Sequence, residues 1–242
     1  MANTNIIEYA TISSPGNSTD FGDLTENRGV QCTSTSNKSS DTGLFAGQDG
    51  NSWSVDYVTI SSTGNATDWG DIDLGEGGED VGYRKHAACS NGTNDRGLFG
   101  GGDYSGVCNT IVYVTISVPA GSATNFGDLT LGRYDLSACS NLTNERGLFG
   151  GGFSSFKRDI IDYVTISSTG NATDFGDLTE LRDEIGATSD GENERGIFVS
   201  GKDDLGDHDI IDYVAINSTG NATDFGNLTV SRTRVGSTSN AG

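Results

Sequence analysis

The sequence predicts an all-β fold: a β-propeller of five four-stranded antiparallel blades, its ring closed by N- and C-terminal strands that share one blade. Three observations carry that expectation. The first is a repeated stretch, written most clearly as Asp159-Ile-Ile-Asp-Tyr-Val-Thr-Ile-Ser-Ser-Thr-Gly-Asn-Ala-Thr-Asp-Phe-Gly-Asp-Leu-Thr179 and recurring around Tyr9, Tyr57, Tyr113 and Tyr213. The tyrosines step by 48, 56, 50 and 50 residues, and Phe21, Trp69, Phe126, Phe175 and Phe225 step by 48, 57, 49 and 50. Two markers drifting together define a structural unit, and periods of this size belong to propellers and solenoids. The second is that each unit divides into four short strand-like runs. The third is that the ends complement each other: Ile6 to Thr25 reads as the last two strands of a unit, and Arg232 to Asn240 as the first strand of another. A solenoid would instead need polar caps.

The third complete unit shows the elements in order. Arg133 to Asn141 is a first strand, and Leu142 to Glu145 a turn. Arg146-Gly-Leu-Phe-Gly-Gly-Gly152 is a second strand with adjacent Leu148 and Phe149, which must point to opposite faces. Ile160 to Ser168 is a third strand with apolar groups on both faces, so it is covered on both sides. A Thr169-Gly-Asn-Ala turn leads to the fourth, Thr173-Asp-Phe-Gly-Asp-Leu-Thr179. Counting the same way places blades at about 28–74, 84–130, 133–179 and 182–229, in a single domain over 1–242, with a composite blade from 232–242 plus 6–25. That blade lacks a second strand unless Ala2 to Asn5 supplies one. Gly70 to Arg84 carries an acidic insertion, and Asp203 to Asp209 is an acidic loop.

Composition bounds the partners. A net charge of -20 excludes nucleic-acid binding by phosphate neutralisation, which needs clustered Lys and Arg, and disfavours anionic lipid. No run approaches the roughly 20 apolar residues of a membrane-spanning helix. Met1-Ala-Asn-Thr-Asn has neither the basic nor the apolar region of a secretory signal, so synthesis in a cytoplasm is expected.

Repetition also sorts the candidate sites. Cys32, Cys89 and Cys139 share one phase, which Thr188 and Thr238 fill in later copies. This reads as a small, buried, strand-like position with reduced thiols. Cys108 lies out of phase in a loop. With only His86 and His208 besides, a zinc site is not expected. Carboxylates three apart recur as Asp20 with Asp23, Asp68 with Asp71 and Asp174 with Asp177. They are candidate Ca²⁺ ligands, or equally Asx turns that cap a hairpin. Arg28, Arg133, Arg182 and Arg232 recur after the last strand, and Arg96, Arg146 and Arg195 open the second. They would grip an anionic ligand or, more simply, clamp neighbouring blades. No nucleophile–histidine–acid set can be assembled, so no catalytic residue and no enzyme activity are expected.

An Arg-headed strand, a Gly-Gly-ending strand, a Tyr strand and an aromatic-Leu strand together resemble a kelch repeat. The wording Tyr163-Val-Thr-Ile-Ser-Ser-Thr-Gly-Asn-Ala-Thr-Asp-Phe-Gly-Asp-Leu-Thr179 with Arg146-Gly-Leu-Phe-Gly-Gly-Gly152 is narrower. It is similar to kelch-like repeats in structural and tail-fibre proteins of tailed phages, notably those of marine and freshwater cyanobacteria. It departs from the kelch pattern in its Asp-aromatic-Gly-Asp and in lacking a consistent outer-strand Trp. The resemblance implies a non-enzymatic virion protein, on tail, fibre or capsid surface. Other virion proteins, a host-surface glycan or receptor, or further copies of the chain would be its partners. A carbohydrate-binding module using Trp53, Tyr104, Phe153 and Phe156 is the alternative, and a polysaccharide hydrolase a third.

Overall fold

The structure, a computed structural model, describes residues 4–29, 32–37, 40–47, 53–72, 84–103, 106–118, 121–141, 145–190 and 194–238. Among these there are nineteen strands and no helix, so the fold is all-β. The first sheet is a hairpin of β1 (Thr4–Tyr9) and β2 (Thr19–Arg28). The second joins β3 (Thr33–Asn37), β4 (Thr42–Ala46), β5 (Ser54–Thr59) and β6 (Thr67–Asp71) in chain order. The third joins β7 (Ala87–Cys89), β8 (Arg96–Gly100) and β9 (Thr110–Thr115) to β11 (Thr124–Asp128). Between them β10 (Gly121–Ser122) adds in parallel to the outer edge of β6. The fourth runs β12 (Ser137–Ser140), β13 (Arg146–Gly150), β14 (Ile160–Thr165), β15 (Thr173–Asp177). The fifth runs β16 (Gly186–Ser189), β17 (Arg195–Val199), β18 (Ile210–Ala215), β19 (Thr223–Asn227).

The four-strand reading of each unit therefore holds, and its face assignments explain how sheets pack. On β13, Leu148 joins one core cluster with Phe198 and Val214 of the fifth sheet, while Phe149 joins another with Leu98 and Ile111 of the third. The fourth sheet is thus sandwiched by its two neighbours. Burying each such side chain contributes about 1.5–3 kcal/mol.

The recurring Asp-aromatic-Gly-Asp has a geometric cause. In every outer pair a register shift falls at the glycine, as where Ile161 faces Gly176 but Asp162 faces Asp174. Gly127 and Gly176 have φ of +152° and +146°, and a Cβ on either would lie 2.3 and 2.5 Å from the carbonyl oxygen of Gly170 or Gly220 in the next unit. Only glycine admits both the bulge and that approach.

The first strands β3, β7, β12 and β16 lie side by side. Residues 32–34, 86–88, 135–138, 184–187 and 234–237, one segment per unit, line a single cavity of about 410 Å³. Amides step around it: Asp135 donates to the Lys85 carbonyl, Glu184 to Asp135 and Arg234 to Glu184, at 3.0, 2.9 and 3.0 Å.

Two expectations need correction. The composite blade is not assembled among the described residues. Residues 232–238 form no strand but lie against β16, with the Ser237 hydroxyl donating to the Ala187 carbonyl at 2.9 Å, while β1 and β2 pair only with each other. Asn5 fills no gap, because it belongs to β1, where Thr4 pairs with Arg28. Cys89 and Cys139 are buried in strands as expected, but Cys32 precedes β3 and is exposed, because the segment it heads opens onto the cavity. Residues 73–83, the core of the acidic insertion, lie outside the described residues.

Candidate functional site

The repeated arginines take part in locks that tie successive units through a shared aspartate. Asp56, Asp162 and Asp212 sit on third strands with no exposed side-chain area. Each pairs with the arginine that precedes the first strand of its own sheet, Arg28, Arg133 or Arg182, at 2.9, 2.9 and 2.8 Å. Each also accepts a hydroxyl hydrogen bond from Thr25, Thr130 or Thr179, at 2.5, 2.5 and 2.7 Å, and the same residue's amide. The guanidinium completes its shell on carbonyls: Arg133 donates to Gly151 and Phe149. Burial lowers the pKa of Arg133 and Arg182 while the partner carboxylate opposes it. The third unit breaks the pattern as a set, since Val112 replaces the aspartate and Tyr83 stands where the arginine would be. The second-strand arginines clamp as well. Arg96 and Arg146 stack on Tyr113 and Tyr163 and donate to the Ile166 and Ile216 carbonyls of the next unit, both at 2.8 Å.

One face departs from this regularity. At a single phase, isolated bridges pair Arg84 with Asp103, Tyr134 with Phe153 and Asp183 with Lys202. Chemically these are an ion pair at 3.2 Å, two rings 5.2 Å apart, and a charged pair of opposite order. The loops beyond carry Val107, Phe156 and Leu205, exposed by 43%, 52% and 96%. At the cavity rim the charges are matched: Lys85 with Asp135 at 3.4 Å, and Glu184 with Lys202 and Arg234 at 2.8 and 2.6 Å. Burial raises Asp135 despite Lys85. Burial also pushes Glu184 up, but its two cationic partners outweigh that and leave it lowered.

His86 occupies the position of Leu136 and Ile185 and packs edge-on to Phe99 at 5.6 Å. Burial, then the Arg28 charge, push its pKa down to about 3. The unfolded chain takes up a proton near 6.5 that the folded chain refuses. The neutral ring's stabilisation is therefore complete above that pH and is lost as pH falls toward about 3. His86→Leu should melt with a flatter acid-side dependence than the parent between neutral pH and about pH 4. Identical profiles would refute this assignment.

The sequence-selected residues disperse. Trp53 is half-buried against the core between the second and third sheets. Tyr104 lies outside the described residues. Phe153 and Phe156 do share a loop, with Arg158 stacked 3.6 Å from the Phe156 centroid. Of the carboxylate pairs, Asp20, Asp68, Asp71 and Asp174 are exposed, whereas Asp23 and Asp177 are half-buried. Asp68 accepts the Gly70 amide at 2.9 Å as an Asx turn. The amides of Asp23 and Asp177 donate to Asn65 and Asn221 of the next unit at 3.1 and 3.2 Å. Among the described residues no group of three or more His, Cys, Asp or Glu is gathered to hold a metal. Sequence reasoning missed Asp56, Asp162 and Asp212, although each directly precedes a phase-marking tyrosine, and it missed Tyr134.

No protein-family model matches this chain, and no curated protein matches it.

Proposed function

We propose that the chain is a non-enzymatic structural and interaction protein of a phage particle, carried on the tail, a fibre or the capsid surface. Its units act as propeller blades about the common cavity. Four are the four-stranded sheets. The fifth is composite, with residues 232–238 as inner strand and an N-terminal hairpin as outer pair. One observation carries the reading. The residues that recur from unit to unit hold the framework together, while the residues that differ gather at one phase, at Arg84–Asp103, Tyr134–Phe153 and Asp183–Lys202. A constant framework with a varied face suits recognition of neighbouring virion proteins or a host receptor. Mass spectrometry of purified particles should find the chain as a stoichiometric component. Finding it only in infected-cell cytosol would remove the proposal.

A carbohydrate-binding reading has its own support in the Tyr134–Phe153 stack beside exposed Phe156, since flat rings suit the apolar faces of sugars.

A further inference from the structure

The junctions after β2, β11 and β15 share one turn contact and one lock, and β19 of the fifth sheet presents the receiving half of such a junction with no described residue on it. At the junctions that follow β2, β11 and β15, the next unit's turn lies on the outer strand. Gly64, Gly170 and Gly220 donate their amides to the carbonyls of Phe21, Phe126 and Phe175, each at 2.8 Å. The aromatic ring is covered at the junctions between full sheets, where Phe126 and Phe175 are each 2% exposed, and is half-buried at Phe21. An isoleucine of the incoming unit, Ile166 or Ile216, is buried at 0% in the same cluster as Phe126 or Phe175. The Thr–Asp–Arg lock completes the joint.

On β19 the equivalent groups are open. Phe225 is 55% exposed, and a Cβ on Gly226 would meet nothing within 4 Å. Thr229 and Arg232 are exposed, and the Arg232 side chain donates to the nearby Val230 carbonyl. The delivering half of a junction stands equally open on the N-terminal hairpin. Ile12, at the phase of Ile166 and Ile216, is 79% exposed. Gly16-Asn17-Ser18 matches Gly220-Asn221-Ala222, yet among the described residues the Gly16 amide donates to no outer strand as those of Gly64, Gly170 and Gly220 do. Exposed Glu8 pairs with Asp20 in register just as Asp162 pairs with Asp174, so its carboxylate stands at the lock position.

The chain's own hairpin is fixed elsewhere. It is held on the second sheet by the Phe21 and Asp23 carbonyls, by Asn65 and by the Arg28–Asp56 lock, and with it so placed Phe225 remains uncovered. We propose that the open face of the last sheet binds the N-terminal hairpin of a second copy of this chain, with Glu8 of one copy entering the Thr229–Arg232 site of the other. This rests on the blade reading above and assigns the composite blade to two chains. Receiving and delivering surfaces differ and sit at opposite ends of one chain, so the association is heterologous and runs head to tail. The Glu8–Arg232 charge match sets its register against the general repulsion of a chain of net charge -20.

The test is light scattering of the chain over a wide concentration range. The parent should exceed its monomer mass of 25.2 kDa increasingly with concentration. Arg232→Glu and Glu8→Arg, each alone, place like charges at the joint and should be monomeric. An equimolar mixture of the two variants should associate again, because each then meets a complementary partner. A parent that stays monomeric overturns the inference. In that case the double variant separates the causes. If it alone regains the melting temperature that both single variants lose, the ring closes within one chain and the blade reading stands. If neither substitution moves that temperature, both fall.

Discussion

Asp162→Ala should destabilise the fold by about 3–5 kcal/mol, the cost of leaving a buried cation without its counter-charge. Arg133 has no exposed side-chain area in the folded chain, and among the described residues Asp162 is its only carboxylate partner at hydrogen-bond distance. The same substitution strands the Thr130 hydroxyl and amide. Against a typical total stability of about 5–15 kcal/mol, such a loss lowers a urea midpoint by a large fraction. The pair itself is not what stabilises, because desolvating both ions offsets most of their attraction. The doubly apolar Arg133→Met with Asp162→Val should therefore recover most of the loss. The third unit already makes that exchange, with Val112 1% exposed at the aspartate position. A single-variant loss below about 1 kcal/mol would mean that water or a shifted Arg133 compensates the charge.

Gly127→Ala should cost about 3 kcal/mol or more, combining backbone strain with a clash that no side chain can relieve. Its φ is +152°, and the new Cβ would lie 2.3 Å from the Gly170 carbonyl oxygen and 2.5 Å from its carbon. Both contacts are backbone, so the joint between the third and fourth sheets must open. Gly226→Ala is the matched control. It has the same place in its strand and a φ of +141°, but nothing within 4 Å. It should cost only the strain, about 1–2 kcal/mol. The difference between the two melting shifts measures the docked turn alone. Equal shifts would mean the turn contributes nothing.

Much of this architecture was readable in the chain. Adjacent Leu148 and Phe149 can satisfy a strand only if both faces are covered, and each does belong to a different inter-sheet core. The repeated arginines were readable as clamps because repetition serves a scaffold better than a single ligand. Their acids were not. Asp162 stands in the apolar run Ile-Ile-Asp-Tyr, where alternation gives no hint that a charge is buried. Its partner Arg133 stands 29 residues upstream, before the first strand of the same unit. Tyr134 was unreadable for a related reason, since its role depends on Phe153 lying opposite it across an isolated bridge. The fifth blade was inferred from the kinds of strand found at the two ends. Strand type says what can pair, but not whether the turn that docks will reach. Among the described residues the Gly16 amide reaches no outer strand, while those of Gly64, Gly170 and Gly220 donate to the preceding one.

The separation of locks from face has an evolutionary consequence. Because Arg133 acts within its own unit and Asp162, Thr130 and Gly127 reach no further than a neighbour, a whole unit can be copied, deleted or traded with another without retuning the remainder. The bridged pair each unit displays travels with it. Tyr134–Phe153 could replace Arg84–Asp103 by recombination between near-identical stretches, in one event rather than by stepwise substitution. A surface organised in this way is a set of interchangeable cassettes, and its specificity can be reshuffled faster than its framework can decay.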